Sequence, residues 1–107
     1  MIQSVPRYAA EGEGVFLQVH NLPEDVKAFS WYKSISRTQF HKIVEYSRAK
    51  NSITWEPAHR RQGMVYENGS LMLQDVTAED AGMYTLSVLN KDSKVESAYV
   101  EVYVKSK

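Results

Sequence analysis

Residues 80–86 read Asp-Ala-Gly-Met-Tyr-Thr-Leu, and this stretch decides the fold. The spacing of Asp80, Gly82 and Tyr84 is that of a tyrosine corner, in which the tyrosine hydroxyl bonds to an upstream backbone group and fixes the loop before a strand. A cysteine usually stands two residues after this tyrosine, but here the position holds Leu86. The stretch therefore predicts a two-sheet β-sandwich without its usual bridge between the sheets.

Trp31 supplies the second part of the pattern. It lies within the predicted strand at residues 28–33, where a sandwich of this type packs a tryptophan beneath the inter-sheet bridge. The other cysteine position falls on Val19. We expect Val19 and Leu86 to meet and to fill the bridge site with apolar volume. Either aromatic residue alone would fit an ordinary core, but the joint spacing favours the sandwich over another β-barrel.

Short apolar runs separated by turn residues continue along the chain. An extra pair of strands in the middle favours the variable type of immunoglobulin domain. The sequence thus predicts an all-β, immunoglobulin variable-type (V-set) β-sandwich that lacks the inter-sheet disulfide, as one domain over residues 1–107, with Met1 as an added expression start. The predicted strands are residues 15–19, 28–33, 41–46, 52–55, 64–66, 70–74, 83–89 and 97–104, with a single helical turn at 77–81.

Composition excludes several classes of function. The 107 residues carry 13 basic and 13 acidic side chains. The formal net charge is therefore zero and does not indicate binding to nucleic acid. No apolar run approaches the roughly 20 residues of a membrane span, which predicts no direct insertion into a membrane. The three histidines lack metal-ligand spacing, and no nucleophile, base and acid can be assembled, so we expect no enzyme, no metal and no cofactor. The absence of cysteine by itself favours a reducing compartment.

Four motifs resemble one family. They are Leu-Gln-Val-His-Asn-Leu-Pro at residues 17–23, Ser-Trp-Tyr-Lys at 30–33, Val-Tyr-Glu-Asn-Gly-Ser-Leu at 65–71 and the stretch 80–86. Together they resemble the amino-terminal variable-like domains of the carcinoembryonic antigen family, and most of all the rodent pregnancy-specific glycoproteins. The resemblance implies a secreted or cell-surface glycoprotein in the extracellular space. It also removes the argument for a reducing compartment, because these domains lack the disulfide.

The resemblance further implies that one sheet face binds the partner. Strand alternation agrees, because an inward Trp31 turns Ser30 and Tyr32 outward. Three cations on this face, Lys27, Arg37 and Lys42, would repel each other across a two-fold contact, so a protein receptor is favoured over homophilic pairing. A sulfated glycosaminoglycan is the other predicted partner, held by Lys27, Lys33, Arg37, His41 and Lys42. The predicted face consists of Lys27, Ser30, Tyr32, Arg37, Lys42, Ser87, Leu89 and Val95.

Three smaller features complete the interpretation. Asn68 begins an Asn-Gly-Ser sequon in a predicted hairpin turn, and we expect it to be glycosylated. The arginine that the family pairs with Asp80 falls on Gln62 here, with Arg60 and Arg61 beside it. An integrin-type Arg-Gly-Asp motif is absent from the final hairpin loop, which reads Asn-Lys-Asp at residues 90–92. A homophilic adhesion domain and an intracellular structural module of the muscle-filament kind remain as alternatives.

Overall fold

The computed structural model describes residues 2–56 and 63–106, which form ten strands and one 3-10 turn. Alternation builds the strands: Val15, Leu17 and Val19 are buried, while the residues between them are partly exposed. The elements are β1 (Ile2–Val5), β2 (Tyr8–Ala10), β3 (Val15–Val19), β4 (Val26–Ser34), β5 (Phe40–Ser47), β6 (Ser52–Trp55), β7 (Gly63–Val65), β8 (Leu71–Leu73), the 3-10 turn Ala78–Asp80, β9 (Gly82–Asn90) and β10 (Val95–Lys105).

Two sheets share these strands. One has the order β1-β3-β8-β7, and the other has the order β2-β10-β9-β4-β5-β6. All pairs are antiparallel except β2 with β10, which is parallel. The predicted all-β V-type sandwich without a disulfide is confirmed. The sequence analysis did not predict β1 and β2. The chain crosses from one sheet to the other at Pro6 and Arg7, and this crossing leaves two short strands in place of one long one.

The core lies between the sheets around the large side chains of Trp31, Tyr84 and Phe29, all at most 1% exposed. The two residues at the bridge positions are also buried in this core, Val19 at 7% and Leu86 at 2% exposure. Both line one cleft of about 190 Å³ between the sheets, together with Ile2, Leu22 and Val88 among others. Apolar side chains thus occupy the bridge site in place of a disulfide.

The tyrosine corner has the predicted form. The Tyr84 hydroxyl donates to the carbonyl oxygen of Asp80 at 2.6 Å. Burial raises the pKa of Tyr84, and the nearby charge of Asp80 adds to this effect. The Asp80 carboxylate accepts from the backbone N–H of Thr77 at 2.8 Å and so completes a capping box around the 3-10 turn. Gln62 at the aligned position and the adjacent Arg60 and Arg61 lie outside the described residues.

Lys33 supports the corner from the opposite strand. It lies at the end of β4, where it pairs with Tyr84 of β9, and its ammonium donates to the carbonyl oxygen of Glu79. Its Cε lies 3.7 Å from the place where a side chain on Gly82 would begin. The lysine therefore ties the start of β9 to β4.

Candidate binding face

Tyr32 lies at the centre of the outward side of the six-stranded sheet. It pairs with Thr85 of β9 on one side and with Lys42 of β5 on the other, and Thr85 pairs in turn with Tyr99 of β10. Cross-strand partners lie on the same side of a sheet. Because the strand neighbour Trp31 points into the core, this whole row points away from it.

A second row of small side chains runs beside the first. Ser97 of β10 pairs with Ser87 of β9, Ser87 with Ser30 of β4, and Ser30 with Glu45 of β5. Serines leave a shallow strip next to the taller tyrosines. Beyond this strip, Leu89 and Val95 pair at the end of the β9–β10 hairpin, and Val95 is 62% exposed.

Aromatic walls and a hydroxyl floor form a cleft at the meeting point of the two rows. Its volume is about 290 Å³. Two of its lining residues, Phe40 and Tyr99, are 55% and 64% exposed. Thr85 is only 8% exposed, and its Oγ1 has no hydrogen-bond partner among the described residues. The lining residues are Tyr32, Phe40, Thr85, Ser87, Ser97 and Tyr99.

The three predicted cations do not act together on this face. Lys42 forms an ion pair with Glu45, and the hydrogen bond that its ammonium donates to this carboxylate raises the pKa of Lys42. Lys27 lies in a bulge at the start of β4, and Arg37 lies in the loop after its end. At roughly 3.3 Å per residue, a strand of this length separates Lys27 from Arg37 by more than about 20 Å. The ion pair also leaves less net charge to oppose a two-fold contact.

The basic cluster predicted for a sulfated glycosaminoglycan is not formed as expected. Lys33 and His41 pair with each other in the register of β4 and β5, on the opposite side of the pleat from Tyr32 and Lys42. The Lys33 ammonium bonds to the corner at Glu79. Alternation therefore divides the predicted set between two sides of the sheet, which the count of basic residues along the sequence does not reveal.

Six of the eight predicted face residues occupy the outward side: Ser30, Tyr32, Lys42, Ser87, Leu89 and Val95. Sequence reasoning missed Phe40, Thr85, Ser97 and Tyr99. Alternation within residues 97–104 could have identified Ser97 and Tyr99. Val102 points inward on the same side of the strand as Ala98 and Val100, so the residues between them point outward. Phe40 gave no such signal, because a bulge in the pairing of β4 with β5 resets its register.

The sequon lies on the edge of the core, far from this face. Asn68 is exposed, and its side-chain oxygen accepts from the backbone N–H of Ser70 at 3.0 Å. Ser70 itself is fully buried, and its hydroxyl accepts from the backbone N–H of Val19 at 3.0 Å. The carbonyl oxygen of Gly69 accepts from the Trp31 indole at 2.9 Å. Each of the three sequon residues therefore accepts a hydrogen bond within the domain.

Within residues 2–56 and 63–106, no group of three or more histidine, cysteine, aspartate or glutamate side chains is placed to hold a metal ion. No helix in the same ranges has the length and apolar character needed to cross a bilayer.

The fold and the motifs define an immunoglobulin domain of the variable type. The family model of the immunoglobulin V-set domain matches residues 2–105, and this chain belongs to that family. Within it, the chain is 51% identical over 104 residues to cell adhesion molecule CEACAM5 of Mus musculus, and 52% identical over 103 residues to pregnancy-specific glycoprotein 22 of Mus musculus. The matches cover 97% and 96% of this chain but only 11% and 22% of the relatives. The predicted resemblance is confirmed.

Solved structures agree with this assignment. The chain is similar to murine CEACAM1b, with a TM-score of 0.88 and 38% identity over 98% of this chain and 53% of that one. A crystal structure of a mouse coronavirus receptor-binding domain complexed with its murine receptor gives the same TM-score, with 33% identity over 99% of this chain and 53% of that one. These relatives are named as a cell adhesion molecule, a glycoprotein and a receptor.

Proposed function

We propose that this chain is an extracellular recognition domain that binds a protein partner through the outward face of its six-stranded sheet and catalyses no reaction. The observation that carries the proposal is the cleft between Tyr32, Phe40 and Tyr99. Exposed aromatic rings on a rigid sheet supply contact area at little cost in conformational entropy, and tyrosine is enriched at interface hot spots. The similar murine receptor, which binds a protein, supports the same class of partner.

Homophilic adhesion is the second candidate. The similarity to an adhesion molecule favours it, and the ion pair between Lys42 and Glu45 lowers the repulsion expected across a two-fold contact. Lys27 and Arg37 form no ion pair within residues 2–56 and 63–106, and their charges still disfavour it. A sulfated glycosaminoglycan is the weakest candidate, since the cations that would hold it are divided between two sides of the sheet.

Binding of the fluorescent domain to a panel of cell lines tests the proposal. Tyr32→Ala and Tyr99→Ala should each lower the apparent affinity at least about tenfold, because hot-spot side chains dominate interface energy. Met64→Ala is the matched control, since Met64 is 52% exposed but lies on β7 of the other sheet. Loss of binding with Met64→Ala, and retention with both tyrosine variants, would place the site on the other sheet.

Two further measurements separate the candidates. Sedimentation at high protein concentration should show monomers, whereas a dimer that Tyr32→Ala dissociates would establish the adhesion candidate. Heparin added to the cell assay should leave binding unchanged. Competition by heparin that fades as salt is added would instead identify a polyanion site.

A further inference from the structure

The orphaned hydroxyl of Thr85 identifies what the cleft holds. Buried polar groups nearly always have hydrogen-bond partners, and an exception calls for an explanation. Thr85 lies on the outward side of β9, is more than nine-tenths buried, and its Oγ1 has no partner among the described residues. A valine would fill the same volume without this cost. Thr85 lines the cleft, so this covered hydroxyl points to a ligand group that bonds to it once the cleft rearranges.

The lining selects the chemistry of that group. None of the six lining residues carries a formal charge, which fits an uncharged occupant. Three aromatic rings, those of Tyr32, Phe40 and Tyr99, offer stacking surfaces to a flat apolar body. The floor hydroxyl can donate or accept, so it matches another hydroxyl. Resting on the proposed function, we infer that this cleft is an anchor pocket for a tyrosine side chain of the partner protein, with its phenol hydroxyl bonded to Thr85 Oγ1.

Entry requires one side chain to move. The Thr85 hydroxyl is covered in the unliganded domain, and its row neighbours are Tyr32 and Tyr99. Tyr99 is 64% exposed, and exposed side chains change rotamer within nanoseconds. Rotation of the Tyr99 ring opens the floor of the cleft, and the ring then closes over the incoming phenol. The pocket thus shields the new hydrogen bond from water. Such a bond is stronger in a dry interior than in solvent.

NMR titration of the isotope-labelled domain with p-cresol and toluene tests this inference. The two probes share an aromatic body and differ in the hydroxyl. We expect p-cresol to shift the amide resonances of Thr85, Ser87 and Ser97 and to bind about three- to tenfold more tightly than toluene, the effect of one hydrogen bond. Thr85→Val should raise the thermal unfolding midpoint and abolish the preference for p-cresol. Thr85→Ser, which keeps the hydroxyl, should retain that preference.

Several results would overturn the anchor pocket. Equal binding of the two probes to the wild type would show that the hydroxyl is unused. Stronger binding of methyl glucoside at the same amides would assign the cleft to a sugar. Dilution-dependent shifts at these amides without a probe would make a second copy of the chain the occupant. In the cell assay, loss of binding with Tyr99→Ala but not with Thr85→Val would retain the binding face and remove only the anchor.

Discussion

The indole nitrogen of Trp31 donates a hydrogen bond to the carbonyl oxygen of Gly69 across a distance of 2.9 Å. Trp31 belongs to β4 of the six-stranded sheet, and Gly69 to the turn that leads into β8 of the other sheet. The bond therefore joins the two sheets beside the position where a disulfide usually does so. It also satisfies the only polar atom of a side chain that is otherwise wholly buried.

The backbone of Gly69 is specific to glycine, so Gly69→Ala should destabilise the domain. Its φ of +93° costs an alanine about 1–2 kcal/mol. Gly12→Ala is the matched control, because Gly12 has a φ of +90° and no atom within 4 Å of the added carbon. Urea unfolding should give a larger loss for Gly69→Ala, since disturbance of the turn also strains the bond to Trp31. Equal losses would mean that backbone conformation alone explains the glycine.

Ser70→Ala should destabilise the unglycosylated domain by about 1–3 kcal/mol, because the buried N–H of Val19 loses its acceptor. Asn68→Asp removes the same sequon but keeps a side-chain oxygen for the N–H of Ser70. Its free energy of unfolding should stay within about 0.5 kcal/mol of the wild type, as for most surface changes. Protein made in bacteria, which bears no glycan, isolates these effects. A stable Ser70→Ala variant would leave glycosylation as the main role of the serine.

Sequence reasoning succeeded where a feature is local. The corner around Asp80 and Tyr84 depends on four residues of spacing, and the structure reproduces it. Features that depend on strand pairing were missed. The sequence predicts Lys33 in a basic cluster for a sulfated glycosaminoglycan, but its pairing with Tyr84 brings its ammonium to the corner at Glu79. Phe40 reaches the cleft only through the bulge in the pairing of β4 with β5, and no pattern within a single strand encodes such a shift.

Restoring the missing bridge should stabilise the domain. Val19 and Leu86 occupy the two cysteine positions, are buried in one core and line the same cleft. The double variant Val19→Cys/Leu86→Cys should form a disulfide that raises the free energy of unfolding by about 2–4 kcal/mol under oxidising conditions. Reductant should reverse the gain and leave the variant below the wild type, because two apolar side chains have been shortened. Free thiols after oxidation would show that packing holds the two strands too far apart.

Tyr84→Phe should destabilise the domain at neutral pH, and the difference should shrink in alkali. The variant loses the hydroxyl that donates to Asp80 and leaves that carbonyl without its partner, a cost of about 1–2 kcal/mol. The pKa of Tyr84 is raised in the folded state, so the fold favours its protonated form. This contribution is complete below the ordinary pKa near 10 and falls as pH rises above it, because the unfolded chain then releases a proton that the folded chain retains.

Unfolding of both proteins from pH 7 to 11 measures that contribution. All other ionisable groups are common to the two proteins, so the difference between their free energies of unfolding isolates Tyr84. The advantage of the wild type should be constant up to about pH 9 and decline beyond about pH 10. A difference that stays constant to pH 11 would mean that the Tyr84 hydroxyl ionises as readily in the fold as in the unfolded chain. The corner would then open locally and expose the Tyr84 hydroxyl to water, with loss of the contact from Lys33 to Glu79.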